Sequence, residues 1–136
     1  MSSPAPFLAV EGYLTANWTA TPLRFENDGA DPPGFDAGAW VYVEMTGTSL
    51  AQFEIGSPES NGWREDGILF LHVNVPTGTG SLEARQHAKA LANLFRGRVI
   101  DHVVFGDAAI GLGAPGDEKG KWWSLPITIE WTYEDH

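Results

Sequence analysis

The stretch Trp122-Trp123-Ser124-Leu125-Pro126-Ile127-Thr128-Ile129-Glu130-Trp131-Thr132-Tyr133 alternates between large apolar residues and mostly polar ones. Because successive side chains of a strand point to opposite faces, this alternation predicts a strand with one buried face and one mostly polar face. Pro126 has no backbone N–H to donate, so we expect an edge strand or a bulge at that residue.

A second long strand is predicted earlier in the chain, over Trp63–Val75. One of its faces is apolar throughout and is expected to meet the core; it carries Leu69, Leu71, Val73 and Val75. The other face is mixed, which indicates that it is also partly covered; it carries Ile68, Phe70, His72 and Asn74.

Shorter strands and turn-rich loops are predicted around these two strands. Alternation over Ala39–Thr46 and Leu50–Ile55 predicts two strands paired with each other. Two more short strands are predicted at Arg98–Phe105 and Ala108–Leu112. Glycine, proline, asparagine and aspartate mark the loops between strands, which are Asn27–Gly38, Gly56–Gly62 and Gly111–Gly120.

Two helices are predicted, and the second has the stronger signals. The first spans Pro6–Asn17, and the helix-breaking residues near it predict a short helix. The second spans Ser81–Arg96, with Ser81 as the capping residue and Gly97 as the left-handed stop. One face of this second helix is apolar at helical spacing; it carries Ala84, Ala88, Leu91 and Phe95.

This order of elements predicts an α+β fold with a mostly antiparallel sheet and two helices packed on one face. The 136 residues suit a single domain, residues 1–136, and 43% apolar residues are enough for a core. No apolar run approaches the length of a membrane span, so we expect no membrane association. With no cysteine, the chain has no disulfide and no thiol nucleophile.

Two glycine-rich stretches share letters with nucleotide-binding motifs but lack the required context. Gly111–Gly116 has the spacing of the dinucleotide fingerprint, yet a strand follows it where a helix is needed. Val75–Ser81 joins a strand to a helix, yet it has no phosphate-binding lysine, and Glu83 would repel an anion. We therefore assign no cofactor and no cofactor-binding residue.

The histidines do not form a recognisable catalytic or metal site. None of His72, His87, His102 and His136 has a second ligand at metal-binding spacing. His102 follows Asp101, but neighbours on a strand would point to opposite faces. No catalytic residue and no metal ligand are assigned, and we expect the chain not to be an enzyme.

Several stretches follow one another in an order that resembles a known family. A short helix leads into Pro22-Leu23-Arg24-Phe25-Glu26-Asn27, and a Pro/Gly loop leads into Ala39-Trp40-Val41-Tyr42-Val43-Glu44-Met45. The strand Gly67–Val75, the turn Pro76–Gly80 and the helix Ala84–Phe95 come next, before the closing stretch at Trp122–Trp131. This succession, over roughly Phe7 to Tyr133, resembles the tail terminator and minor tail proteins of long-tailed phages and gene transfer agents.

The resemblance implies a structural protein that forms a ring, expected to be a hexamer, at the head-proximal end of a tail tube. Its implied partners are its own copies, the tail tube protein and the head–tail connector protein, with assembly in the bacterial cytoplasm. DNA is expected to pass through the ring without specific binding, in keeping with a net charge of −10. Two alternatives stay open: another neck, connector or minor tail protein, and a small ligand-binding or enzymatic α+β domain.

A candidate subunit interface lies on the second helix. Arg85, Lys89 and Arg96 hold three of the eight basic side chains and fall on one helical stripe, with Leu94 on the far side among polar residues. A chain this acidic repels its own copies unless positive patches meet negative ones. We therefore predict these four residues at the interface, facing the acidic loops Asn27–Gly38 and Gly111–Gly120 of a neighbouring copy.

Overall fold

The computed structural model describes residues 2–27, 38–52, 62–115 and 122–135. Within them the chain forms two helices, α1 and α2, and seven strands, β1 to β7. The elements follow in the order α1 (Pro4–Asn17), β1 (Leu23–Phe25), β2 (Trp40–Gln52), β3 (Trp63–Pro76), α2 (Leu82–Phe95), β4 (Val99–Ile100), β5 (Val103–Ile110), β6 (Ala114–Pro115) and β7 (Trp122–Asp135).

One curled sheet contains all seven strands. Its order is β1-β2-β3-β7-β5-β4, and β6 pairs with β7 beside the end of β5. The prediction of an α+β fold is confirmed, but the sheet is mixed, because β1 pairs with β2 in parallel.

Strand β7 lies in the middle of the sheet, so the prediction of an edge or bulge at Pro126 is wrong. Pro126 pairs with His72 of β3, and on its other side its carbonyl accepts a hydrogen bond from the Gly111 N–H at 2.8 Å. The neighbouring pairs on that side are Ile110 with Ile127 and Ala114 with Ser124. Pro126 therefore lies opposite Gly111, between the last pair of β5 and the first pair of β6, where the regular ladder on that side is interrupted.

Strand β2 is a single bulged strand, so the predicted pairing of Ala39–Thr46 with Leu50–Ile55 is wrong. Both segments pair with β3, and the register shifts by one residue between Gly47 and Ser49. Of the second segment, residues 50–52 are seen to pair, and residues 53–55 lie outside the described residues. The Gly47-Thr48 step has the composition of a turn, but β3 is long enough to pair with both segments and keeps them in line.

The sheet bends along one row of residues. Gly47 pairs with Gly67, and Gly67 pairs with Trp131. The bulge in β2 begins at this row, and so does a second bulge in β5, after Phe105, which also pairs with Trp131. Because a bulge bends its strand and increases the local twist, two bulges on one row curl the sheet there.

The predicted strand Arg98–Phe105 is instead a hairpin. Asp101 and His102 both have positive φ, 48° and 70°, and they connect β4 to β5. Two consecutive residues with positive φ form the tight turn whose twist suits an antiparallel hairpin. The expectation that these two side chains point to opposite faces of a strand is therefore wrong, because neither residue lies in a strand.

Both helices pack on one face of the sheet. Helix α1 begins at Pro4 and so is longer than predicted, because a proline in the first turn has no intrahelical hydrogen bond to lose. Helix α2 is confirmed and ends before Gly97, whose φ is +70°. Ser81 precedes α2 without a side-chain capping bond. No helix among the described residues is long and apolar enough to cross a bilayer.

The core lies between this helical layer and the sheet, as the alternating patterns predict. The face of α2 formed by Ala84, Ala88, Leu91 and Phe95 is fully buried, and so are the predicted core residues of β3, which are Leu69, Leu71, Val73 and Val75. From β7, Ile127 and Ile129 are also fully buried, while Leu125 and Trp131 retain a trace of exposure. The two predicted strand faces and the helix face therefore meet in one cluster.

Candidate functional site

The basic stripe on α2 (Arg85, Lys89 and Arg96) lies on the outer surface of the helix. All three residues are exposed, and Arg85 donates from Nε to the Ser81 hydroxyl at 3.0 Å. Most of the acidic loops expected to face this stripe lie outside the described residues, at 28–37 and 116–121. The stripe is available for contact, and its part in an interface stays a prediction.

Leu94 has a role inside the subunit that its position in the sequence does not reveal. It is half-buried and packs against the core, and its carbonyl accepts a hydrogen bond from the Tyr13 hydroxyl at 3.0 Å. Tyr13 also meets the Phe95 ring edge-on, with ring centroids 5.4 Å apart. Leu94 therefore helps to join α2 to α1, and only the rest of its surface is left for a neighbour.

His72 lies on the face of the sheet opposite the helices, as predicted for its side of β3. Its Nε2 is 2.7 Å from a carboxylate oxygen of Glu44, and its ring lies against Tyr42 and Phe70. Burial raises the pKa of the Tyr42 hydroxyl, and the carboxylates of Glu44 and Glu26 raise it further, while Arg24 lowers it. The cluster is a half-buried aromatic and acidic patch on an open sheet face.

The other two described histidines have separate surroundings. His87 approaches Glu83 one helical turn earlier, at 3.3 Å, and meets the Trp18 ring edge-on. His102 is exposed and lines a surface depression of about 360 Å³, which Glu134 also lines. Among the described residues, no three histidine or acidic side chains come together as metal ligands would.

The two glycine-rich stretches take up ordinary structural positions. Residues 77–80 form the turn from β3 into α2, with the Thr79 hydroxyl donating to the Pro76 carbonyl at 2.8 Å. Gly113 lies against the indole of Trp123, where an added Cβ would come within 2.7 Å of ring atom Cε2 and closer still to others. Close packing, and not a phosphate, accounts for Gly113.

Glu65 is a buried carboxylate in β3, although the sequence around the acidic pair Glu65-Asp66 indicates a solvated position beside a turn. Its carboxylate accepts hydrogen bonds from the backbone N–H of Ser3, at 2.8 Å, and from the Ser3 hydroxyl. Ser3 immediately precedes α1, so the carboxylate meets the positive end of that helix. Glu65 therefore fastens the start of α1 to the sheet.

The two edges of the sheet carry most of the exposed large apolar side chains. Of the eight found among the described residues, five lie at these edges or on the loop beyond β5; they are Leu50, Val99, Val104, Ile110 and Leu112. Trp63 begins the central strand β3, and Leu8 and Leu82 lie on the helices. The feature of the sequence that could have indicated the exposed edge of β2 is the absence of charged residues at 46–52 in a strongly acidic chain.

A family model and a solved structure both match this chain over most of its length. A family model described as phage tail terminator protein matches residues 7–131. A solved structure superposes with a TM-score of 0.69 at 20% sequence identity, covering 100% of this chain and 98% of that chain. At that identity the superposition supports the fold alone. A search of curated protein sequences found no match.

Proposed function

The chain belongs to the phage tail terminator family and has a structural role in a phage tail, and we propose that its copies form a hexameric ring at the head-proximal end of the tail tube. There the ring stops polymerisation of the tube and offers a surface to the head–tail connector protein. The observation that carries this proposal is the family match over residues 7–131, which takes in both helices and most of the sheet.

The charge of the chain supports a ring through which DNA passes without binding. A net charge of −10 gives no broad basic surface for the phosphate backbone. Glu44 and Glu130 both lie on the open face of the sheet, on either side of β3, with Glu130 two residues along from the row of Glu44. Acidic surfaces repel DNA, which suits a passage that DNA must cross quickly.

The proposal places the protein in the bacterial cytoplasm during assembly and then in the tail of a phage or gene transfer agent. Imaging of intact particles with an antibody against the chain should label the junction of tube and head. A particle made without the chain should have tubes of uncontrolled length. Tubes of normal length that fail only to join heads would support a neck or connector role instead.

Purified protein gives an independent test of the ring. Native mass spectrometry and negative-stain images should show a closed ring, and adding that ring to growing tail tubes should halt their elongation. A chain that leaves tube length unchanged at saturating concentration would contradict a terminator role.

A further inference from the structure

At each of the two edges of the sheet, a short strand covers one part of the longer strand beside it, and the other part has no partner among the described residues. Strand β1 covers β2 only at Val41–Val43, and the Glu26 carboxylate accepts the Met45 N–H at 2.6 Å just beyond. Among the described residues, none pairs with the outer edge of β2 at residues 46–52. On the opposite edge, β4 covers the start of β5, and none of the described strands pairs with the outer edge of β5 at residues 108–110.

The positions of the covered and uncovered parts can be compared through the residues of the central strand β7 with which each part is level. Through the pairing register, β1 lies level with Leu125–Ile127 of β7, and β4 lies level with Thr132 and Tyr133. The free part of β2 lies level with residues 130–135, the same height as β4 on the other side. The free part of β5 lies level with residues 127–129, close to the height of β1. When copies stand side by side, both rows of β4 therefore fall within the free part of β2, and β1 meets the free part of β5 at the row of Ile127.

We propose that neighbouring copies join through these edges, with β4 of one copy filling the gap beside β2 of the next, and β1 of the next filling the gap beside β5. This rests on the ring proposed above and names the surface that builds it. The two surfaces differ, so the contact is head-to-tail, which is the kind that closes into a ring. The partner is a second copy because one chain supplies both the projections and the gaps.

Strand directions allow this joint. Four antiparallel steps lead from β2 through β3, β7 and β5 to β4, so β4 runs parallel to β2. Three antiparallel pairings lead from β2 through β3 and β7 to β5, so β5 runs antiparallel to β2. Because β1 is parallel to β2, β5 also runs antiparallel to β1. Repeating the copy by rotation about an axis along the strands, as in a ring, preserves these directions whatever the angle. Both contacts would then be ordinary strand pairings.

Charge favours the same surfaces. The four edge stretches, residues 23–25, 46–52, 99–100 and 108–110, contain no acidic residue, although the chain has 18 of them. The one charged residue within them is Arg24, and Arg98 directly precedes β4. Natural edge strands are commonly protected by charges. An uncharged edge of seven residues on an acidic protein is therefore a surface for pairing, and self-repulsion is smallest there.

The register predicts which residues of two copies meet. Ser49 pairs with Asp66, which pairs with Thr132, while Val99 pairs with Val104, which also pairs with Thr132. Ser49 and Val99 therefore lie on one row at opposite edges of the sheet, and both are exposed. In the proposed joint Ser49 of one copy lies beside Val99 of the next.

Because the chain has no cysteine, this contact can be tested by cross-linking. In the variant S49C/V99C, mild oxidation or a short bifunctional maleimide should give a ladder of covalent oligomers that ends at the copy number of the ring. S49C alone and V99C alone should stay monomeric on a denaturing gel. A mixture of the two single variants should give dimers and nothing larger, because each contact is head-to-tail.

The control variant L8C/L82C places cysteines at two exposed apolar positions on the helices, and it should give no ladder. Light scattering before cross-linking separates the two proposals. A ring in solution without a ladder from S49C/V99C, or dimers from S49C alone, would overturn the edge contact and leave the ring intact. A chain that stays monomeric at all concentrations would contradict the ring and the proposed function together.

Discussion

Replacing Gly67 with alanine should be among the most damaging small changes in this protein. Gly67 lies inside β3, on the row where the sheet bends, with the Trp131 indole packed against it. A Cβ at this position would come within 2.5 Å of Trp131 Cε2, and closer still to Cζ2 and to the Thr46 carbonyl oxygen. No real Cβ tolerates such approaches, so neighbouring atoms must move.

The size of the effect follows from which atoms would have to move. Thr46 O belongs to the backbone of a paired strand, and Trp131 is almost fully buried, so neither is the free end of a flexible side chain. Overpacking of a core usually costs 1–3 kcal/mol, and here both neighbours are rigid. We expect Gly67→Ala to lower the free energy of unfolding by about 3 kcal/mol.

Gly12→Ala is the matched control with the opposite expected sign. Gly12 is exposed in α1, and an added Cβ would meet no atom within 4 Å. Alanine in a helix interior is favoured over glycine by about 0.5–1 kcal/mol, so this variant should be more stable than the parent. Urea unfolding followed by tryptophan fluorescence and by circular dichroism gives both values.

The comparison has a clear refuting result. If Gly67→Ala and Gly12→Ala unfold within about 0.5 kcal/mol of each other, the packing of Trp131 onto Gly67 is not as described. A large loss for Gly67→Ala with unchanged Trp131 fluorescence would place the strain elsewhere in the sheet.

Three further predictions concern the core, the start of α1 and the basic stripe. Leu71→Ala and Ile127→Ala should each cost about 2–5 kcal/mol in urea unfolding, since both side chains are fully buried; losses below about 0.5 kcal/mol would show that the faces were misassigned. Glu65→Ala leaves the Ser3 donors unpaired and should cost about 1–3 kcal/mol, with faster hydrogen exchange confined to the first turns of α1; uniform exchange would count against this anchor. Reversing Arg85 and Lys89 to glutamate should weaken ring formation while the monomer stays folded, and added salt should weaken assembly of the parent; unchanged assembly by light scattering would make the stripe a solvated surface.

The sequence alone was sufficient to predict an element and its buried face wherever the pattern that determines them lies within the element itself. The two-residue period of β3 and β7 and the helical period of α2 identified the core faces, because the direction of a side chain follows from the geometry of its own element. The left-handed stop at Gly97 was equally readable, since few other residues adopt that conformation. The family resemblance rested on these same elements in their order, and the family is confirmed.

The sequence was insufficient where a distant strand makes the choice. Gly47-Thr48 has the composition of a turn, yet β3 pairs on both sides of it and makes it a bulge. Pro126 suits an edge strand in general, yet it occupies a central one, opposite Gly111 where the pairing passes from β5 to β6. Neither outcome can be read from neighbouring residues, because each depends on which backbone lies alongside.

The candidate interface shows the same division. Charge along α2 indicated the basic stripe, since i, i+4 positions share a helical face whatever surrounds the helix. Which parts of the sheet edges are covered depends on where β1 and β4 end relative to β7, and this is set by pairings as distant as Trp63 with Asp135. Local sequence therefore determined the long elements β3, β7 and α2 and their buried faces, and only the tertiary pairing decided which backbone edges have no partner among the described strands.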